Sequence, residues 1–218
     1  VAKPGSGLND IYAYASYPES GVTVCSNAKT CNKPLWVTTA GPSSGTPSSL
    51  PKTDYTYDSG HGGVLTETKP APGTGTYASI RPETRYTYAA SGGVIRVDTV
   101  KSCKTTSSCA NTADELVVET TYDAKRRPTL VVTRAGNNTT AYTSTNSRVA
   151  TTYTPQGDVE SVDGPLSGTA DTAWNYYNAM RQLKVAVGPD PDGGGSLVYR
   201  ATRTTYDADG NPATTEKG

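Results

Sequence analysis

Four cysteines occur as two pairs with the same spacing: Cys25 and Cys31 stand six positions apart, and so do Cys103 and Cys109. The matching spacing predicts two disulfides, each closing a ring of seven residues and stabilising the fold by roughly 2.4 kcal/mol. Free buried thiols and a zinc site remain alternatives, although zinc ligands usually stand closer together in sequence. Because disulfides persist in oxidising compartments, we expect an extracellular or cell-surface protein.

The single histidine, His61, lies in the glycine-rich stretch DSGHGG. A Ser-His-Asp triad would have to include it, and no stretch around a serine predicts the strand-turn-helix of a nucleophile elbow. A solvated turn residue is the simpler interpretation of His61. The sequence therefore predicts no catalytic residue, and we expect the chain not to be an enzyme.

Close pairs of carboxylates offer two other chemistries, glycoside hydrolysis and calcium binding. Asp190 with Asp192 and Asp207 with Asp209 are such pairs. Their Pro and Gly neighbours favour turn capping, and the glycine in DADGN comes too early for a calcium loop. We therefore predict neither a metal nor a cofactor.

The composition is that of strands and turns. Hydrophobic residues make up 34% of the chain, with no Phe but 15 Tyr, 22 Gly and 15 Pro. The formal net charge is zero and the pI about 6.8, which predicts neither nucleic-acid nor anionic-membrane partners. No apolar run approaches the ~20 residues of a membrane helix, so membrane insertion is not expected.

A tyrosine phrase recurs along the chain, as in RTTYDADGNPATTE and ETTYDAKRRPTLVV. In most copies Thr precedes the aligned tyrosine, and an apolar residue or proline follows the subsequent turn. The aligned tyrosines, which we predict to form the repeat core, are Tyr57, Tyr88, Tyr122, Tyr153, Tyr177 and Tyr206.

Alternation before each tyrosine predicts a strand, and the polar residue after it predicts a capped turn, so each copy predicts a β-hairpin. The predicted turn residues are Asp58, Gly92, Asp123, Gly157, Asp207 and Gly210. Arg126 and Arg181 replace the turn glycine in two copies. A left-handed arginine costs roughly 1 to 2 kcal/mol, so these two turns are predicted to take another shape.

This recurring Tyr-Asp, Gly and apolar pattern resembles the YD repeat of the RHS family, which includes teneurins and bacterial toxin-complex cages. Tyr206 to Asn211 is the closest copy, and Arg127 matches the family's arginine. The resemblance covers residues 53–218; residues 1–52 are interpreted as a degenerate first repeat with the Cys25/Cys31 loop and a Pro/Ser/Gly-rich linker. The resemblance implies an all-β fold of consecutive antiparallel hairpins in an extended or spiralling sheet.

The resemblance also implies a bacterial, secreted or surface protein with a structural or interaction role in a fibre or shell. In a bacterial protein, the overlapping glycosylation sequons at Asn137 and Asn138 are expected to carry no glycan. One alternative is a carbohydrate-binding adhesin segment that uses exposed Trp36 and Trp174. A second is part of a toxin-encapsulating cage, although the family's carboxyl-terminal self-cleavage motif has no counterpart here.

The expected partners are other copies of the chain or flanking repeats of a longer one, with glycans as the alternative. Unpaired strand edges are rarely left bare, and a near-zero net charge gives little repulsion against association. We predict contact through residues near 1–20 or 203–218 by β-sheet addition.

Overall fold

The computed structural model describes residues 12–17, 27–40, 51–71, 73, 75, 79–103, 105–106, 108–138 and 147–218. This part of the chain forms β-strands and contains no helix. The strands are β1 (Tyr12–Ser16), β2 (Trp36–Ala40), β3 (Thr53–Tyr57), β4 (Val64–Thr68), β5 (Glu83–Ser91), β6 (Val94–Cys103), β7 (Glu115–Tyr122), β8 (Pro128–Ala135), β9 (Ser147–Tyr153), β10 (Val159–Asp163), β11 (Ala173–Tyr177), β12 (Leu183–Val187), β13 (Ala201–Tyr206) and β14 (Pro212–Lys217).

The strands form one 14-stranded sheet in which each hydrogen-bonds to the strands before and after it in sequence. The pairing is antiparallel. Within the described strands, β1 and β14 each have one neighbour. The predicted all-β fold of consecutive antiparallel hairpins is therefore confirmed.

Residue contacts divide the chain into two compact units. The first comprises Val1–Ala90, Ile95–Val117 and Ala135–Asn138, and the second comprises Ser91–Val94, Val118–Arg134 and Thr139–Gly218. The boundary predicted between residues 52 and 53 stays a prediction.

Fully buried side chains are few in the described residues. The buried apolar ones are Cys103, Cys109, Val117 and Val132, whereas Glu115 is a buried carboxylate. The six repeat tyrosines are all half-buried. Because so few apolar side chains are buried, much of the packing must come from partly exposed rings and from hydrogen bonds between hairpins.

A one-residue bulge recurs just past the turn of the hairpins. In β9 and β10, Tyr153 pairs with Val159 and Thr152 with Ser161, which leaves Glu160 as the extra residue. The register shifts in the same way beside Tyr57, Tyr177 and Tyr206. A bulge bends the strand locally and redirects one side chain, so the same residue in successive hairpins is displaced from the regular alternation.

In three hairpins, the threonine before the aligned tyrosine pairs across the hairpin with a second hydroxyl. Thr56 and Thr66 oxygens lie 2.7 Å apart, and Thr205 and Thr214 oxygens 2.6 Å apart. The oxygens of Thr152 and Ser161 repeat the contact at 2.7 Å. These cross-strand hydrogen bonds explain why threonine recurs before the tyrosine.

Candidate functional site

Four repeat turns share one backbone hydrogen-bonding pattern. In the last of them, Asp207 N donates to Asn211 O at 2.9 Å and Gly210 N donates to Asp207 O at 3.1 Å. The turns that begin at Asp123, Thr154 and Asn178 repeat both bonds. The local sequence thus sets the same turn at four places.

Side-chain oxygens cap these turns. Asp207 Oδ1 accepts from the backbone N–H groups of Asp209 and Asn211, at 3.0 and 2.8 Å. Asp58, Asp123 and Asn178 accept from their own turns in the same manner. The turn glycines take the positive φ that the pattern requires, with φ of 55° at Gly92, 104° at Gly157 and 84° at Gly210.

The predicted shape of the two arginine turns is wrong. Arg126 has a φ of 71° and Arg181 a φ of 63°, so both occupy the left-handed position that glycine takes elsewhere. Arg127 N donates to Asp123 Oδ1 and Gln182 N to Asn178 Oδ1, so the capping residue fixes the turn whatever follows it. The strain of about 1 to 2 kcal/mol is tolerated because the surrounding hydrogen bonds remain intact.

The hydroxyls of five repeat tyrosines donate to the backbone of the hairpin before them. Tyr88 Oη donates to Val64 O at 2.8 Å, and Val64 begins the second strand of the preceding hairpin. The bond recurs, at 2.8 or 2.9 Å, from Tyr57 to Pro34, Tyr153 to Pro128, Tyr177 to Val159 and Tyr206 to Leu183.

Most acceptor carbonyls belong to the apolar or proline position that follows each turn. Leu183 pairs in register with Tyr177 of its own hairpin and accepts from Tyr206 of the next. Because only the carbonyl is used, valine, leucine and proline serve equally well. The recurring tyrosine and the recurring apolar position are therefore two ends of one contact.

In the second unit, turns also contact neighbouring turns directly. Ser91 Oγ donates to Asp123 O at 2.6 Å, Lys125 Nζ to Pro155 O at 2.8 Å, and Gln182 Nε2 to Gly210 O at 3.0 Å. The Arg127 guanidinium lies 4.1 Å from the centre of the Tyr153 ring. Within each unit, the tyrosine bonds join consecutive hairpins, and in the second unit these turn contacts do so as well.

Three of the repeat tyrosines have a shifted hydroxyl pKa. Burial raises the pKa of the Tyr57, Tyr88 and Tyr177 hydroxyls above the usual value. These hydroxyls stay protonated at neutral pH and so remain donors to the preceding carbonyl.

The turn aspartates shift in the opposite direction. Backbone N–H groups that bond to the carboxylates hold the pKa of Asp58, Asp123 and Asp207 below the usual value. A lowered folded-state pKa contributes stability that is present above the unfolded value of about 3.9 and is lost as the pH falls through the folded value.

We expect the thermal unfolding temperature to fall steeply with acidification below pH about 4. The combined change of Asp58→Asn and Asp207→Asn keeps a capping oxygen but removes the titration, so the acid-induced fall should be smaller. Asp209→Asn is the control. The Asp209 backbone N–H donates to the Asp207 carboxylate, but the Asp209 carboxylate does not cap the turn. Parallel acid profiles for the double variant and the wild type would contradict this explanation.

The cysteine predictions have different outcomes. Cys103 and Cys109 form a disulfide with a Cα–Cα distance of 5.6 Å. Cys31 is also disulfide-bonded, whereas its predicted partner Cys25 lies outside the described residues. Asp114 is near the Cys103–Cys109 bridge, but the bridged sulfurs offer no thiolate to a metal, and Asp114 accepts hydrogen bonds from Thr105 and Thr106.

The other residues with chemical potential lie in separate local contacts. His61 Nδ1 accepts from Gly63 N, and its ring meets the Tyr88 ring edge to face at 4.5 Å. Trp36 is half-buried with Lys52 Nζ 5.3 Å from its ring centre, and Trp174 is half-buried against Tyr199. Their predicted role in glycan binding stays a prediction.

The chain matches no protein-family model, and no curated protein matches it. Among solved structures, it is similar to one described as the crystal structure of TcdB2-TccC3-Cdc42, with a TM-score of 0.41 and 14% identity. The match covers 85% of this chain and 11% of that chain, so the sequence spans about a tenth of its length. The YD-repeat family therefore stays a prediction carried by the residues themselves.

No described segment forms a helix with the length and apolar character needed to cross a membrane.

Proposed function

We propose that the chain is a non-enzymatic structural or interaction module of a secreted or surface YD-repeat protein, within a fibre, shell or other extracellular assembly. The observation that carries this proposal is the recurring tyrosine-to-carbonyl bond, which joins consecutive hairpins within each unit. Such a contact can be repeated without limit by adding hairpins at one end. The disulfide supports an extracellular location.

β14 offers the edge at which a further strand is added. All six of its residues are exposed. Ala201 and Gly218 exchange both backbone hydrogen bonds. In an antiparallel pair, residues whose N–H and C=O groups face the partner strand alternate with residues whose groups face away from it, so the pattern along β14 can be counted from Gly218. By this alternation Thr215 and Lys217 direct their N–H and C=O groups away from β13, towards an incoming strand.

Pro212 sets the register of that strand. It pairs with Tyr206 as Leu183 pairs with Tyr177 and Val64 with Tyr57. In the earlier hairpins this position accepts the next tyrosine hydroxyl. The partner strand, from a flanking repeat or another copy, is therefore one that carries a tyrosine opposite the Pro212 carbonyl.

Blocking this edge should weaken self-association. We expect light scattering to show particles of the purified chain that grow with protein concentration. The combined change of Thr215→Pro and Lys217→Pro removes two outward N–H groups and leaves the inward ones intact, so growth should be strongly reduced.

Thr215→Ala with Lys217→Ala is the matched control, because it changes the same side chains and keeps both N–H groups. It should associate like the wild type. Equal growth of the proline and alanine variants would contradict strand addition at β14, and a wild-type monomer at high concentration would contradict self-assembly.

A carbohydrate-binding segment is the second candidate function. The observation that favours it is an exposed tyrosine, Tyr176, in a polar cleft of the second unit. A toxin-encapsulating cage is a further candidate that rests on the family resemblance alone.

A further inference from the structure

A polar cleft lies beside the turns that begin at Thr154 and Asn178. Its volume is about 380 Å³, close to the lower end of the range of about 300 to 1,000 Å³ for small-molecule sites. Tyr176, Glu160, Asn175, Gln156 and the Asp158–Arg181 pair line it. All of these residues belong to the second unit.

Tyr176 supplies an aromatic surface that the repeat does not use. Its side chain is 55% exposed, whereas the adjacent Tyr177 is half-buried and donates to Val159 O. Because Tyr176 and Tyr177 are neighbours on one strand, one tyrosine joins the hairpins while the other is left available at the cleft.

The bulge beside the turn leaves Glu160 as the extra residue of β10. Glu160 is exposed and makes no ion pair with the described residues, although it lines the cleft. Asp158, by contrast, is engaged by Arg181 through two hydrogen bonds of 2.8 and 3.0 Å. The cleft therefore holds one carboxylate that is not neutralised and one that is fixed in an ion pair.

The lining groups include both donors and acceptors. The Tyr176 hydroxyl and the Gln156 amide can donate, while the Glu160 carboxylate and the Asn175 carbonyl oxygen can accept. A sugar hydroxyl both donates and accepts, and the C–H face of a pyranose packs on an aromatic ring. An ammonium ligand would satisfy only the acceptors, and Glu160 disfavours an anionic ligand.

We propose that this cleft binds a neutral pyranoside, with its C–H face on Tyr176 and its hydroxyls bonded to Glu160 and the amides. This proposal rests on the second candidate function, carbohydrate binding, and does not depend on strand addition at β14. The site differs from the tryptophans that the sequence singles out.

Saturation-transfer NMR on the whole chain tests this assignment, with the methyl glycosides of glucose, galactose, mannose and N-acetylglucosamine as probes. We expect transfer to the ring C–H protons of at least one glycoside. Tyr176→Ala should weaken its affinity about tenfold, the equivalent of one stacking contact. Glu160→Gln should weaken it as well, whereas Tyr176→Phe should retain most of the transfer.

Tyr199→Ala is the matched control, since Tyr199 is also exposed but lies outside the cleft. Its affinity should equal that of the wild type. The proposal is overturned if no glycoside shows transfer, whether or not lysine methyl ester does, or if Tyr176→Ala binds as well as Tyr199→Ala.

Discussion

Arg85→Ala is expected to lower the free energy of unfolding by about 3 to 5 kcal/mol, because it leaves a buried carboxylate without its counter-charge. Glu115 is only 1% exposed, and its Oε1 lies 2.6 Å from a terminal nitrogen of Arg85. Its Oε2 accepts from Asn111 N at 2.9 Å. Without the guanidinium, one backbone N–H would be the main remaining partner of a desolvated charge. Urea denaturation measures the loss.

Arg203→Ala is the control for this change. Arg203 and Glu216 are 59% and 66% exposed and lie 3.8 Å apart, so their pair should contribute no more than about 1 kcal/mol. Adding Glu115→Gln to Arg85→Ala should recover part of the loss, because the remaining side chain is neutral. Similar losses of unfolding free energy for Arg85→Ala and Arg203→Ala would show that the ion pair with Arg85 does not stabilise the buried Glu115.

Tyr88→Ala is expected to cost about 2 to 3 kcal/mol, which is below the range for a fully buried aromatic residue because the ring is half-buried. The change removes the bond to Val64 O and the edge contact with His61. It also removes the packing on Gly63, where an added Cβ would lie 2.5 Å from the Tyr88 ring. Thermal or urea unfolding of the first unit, which contains Tyr88, measures the lost free energy of unfolding.

Two further variants separate the contributions to this loss. Tyr88→Phe keeps the ring and should lose about 1 kcal/mol, the usual value of one hydrogen bond. Tyr176→Ala removes a tyrosine that is not part of the repeat contacts and should cost less than about 0.5 kcal/mol. If Tyr88→Ala proved as mild as Tyr176→Ala, the repeat tyrosines would not hold the hairpins together.

The hairpins and their capped turns could be predicted because their determinants are local. Asp207 and Gly210 stand three positions apart and act within one turn, so a short stretch of sequence contains every residue of the contact. The arginine turns were predicted wrongly because propensity favoured another shape at Arg126 and Arg181. The capping hydrogen bonds, which the side-chain oxygen of the preceding polar residue accepts, outweigh that preference.

Contacts between distant residues could not be predicted in this way. The pairing of Arg85 with Glu115 spans thirty positions and carries no sequence motif. The position of Glu160 at a cleft depends on a bulge that shifts the strand register by one residue. No residue type in the sequence marks this bulge. One signal was available for the tyrosine bonds, since the apolar position after each turn recurs with the tyrosine itself.

Hydrogen exchange of individual β14 amides, followed as the protein concentration rises, tests the proposed assembly most directly. The Thr215 and Lys217 amides should exchange rapidly in dilute solution and become protected as particles grow, because an incoming strand would bond to them. The Glu216 amide, which faces β13, should be protected throughout. Growing particles in which the Thr215 and Lys217 amides still exchange rapidly would contradict strand addition at this edge.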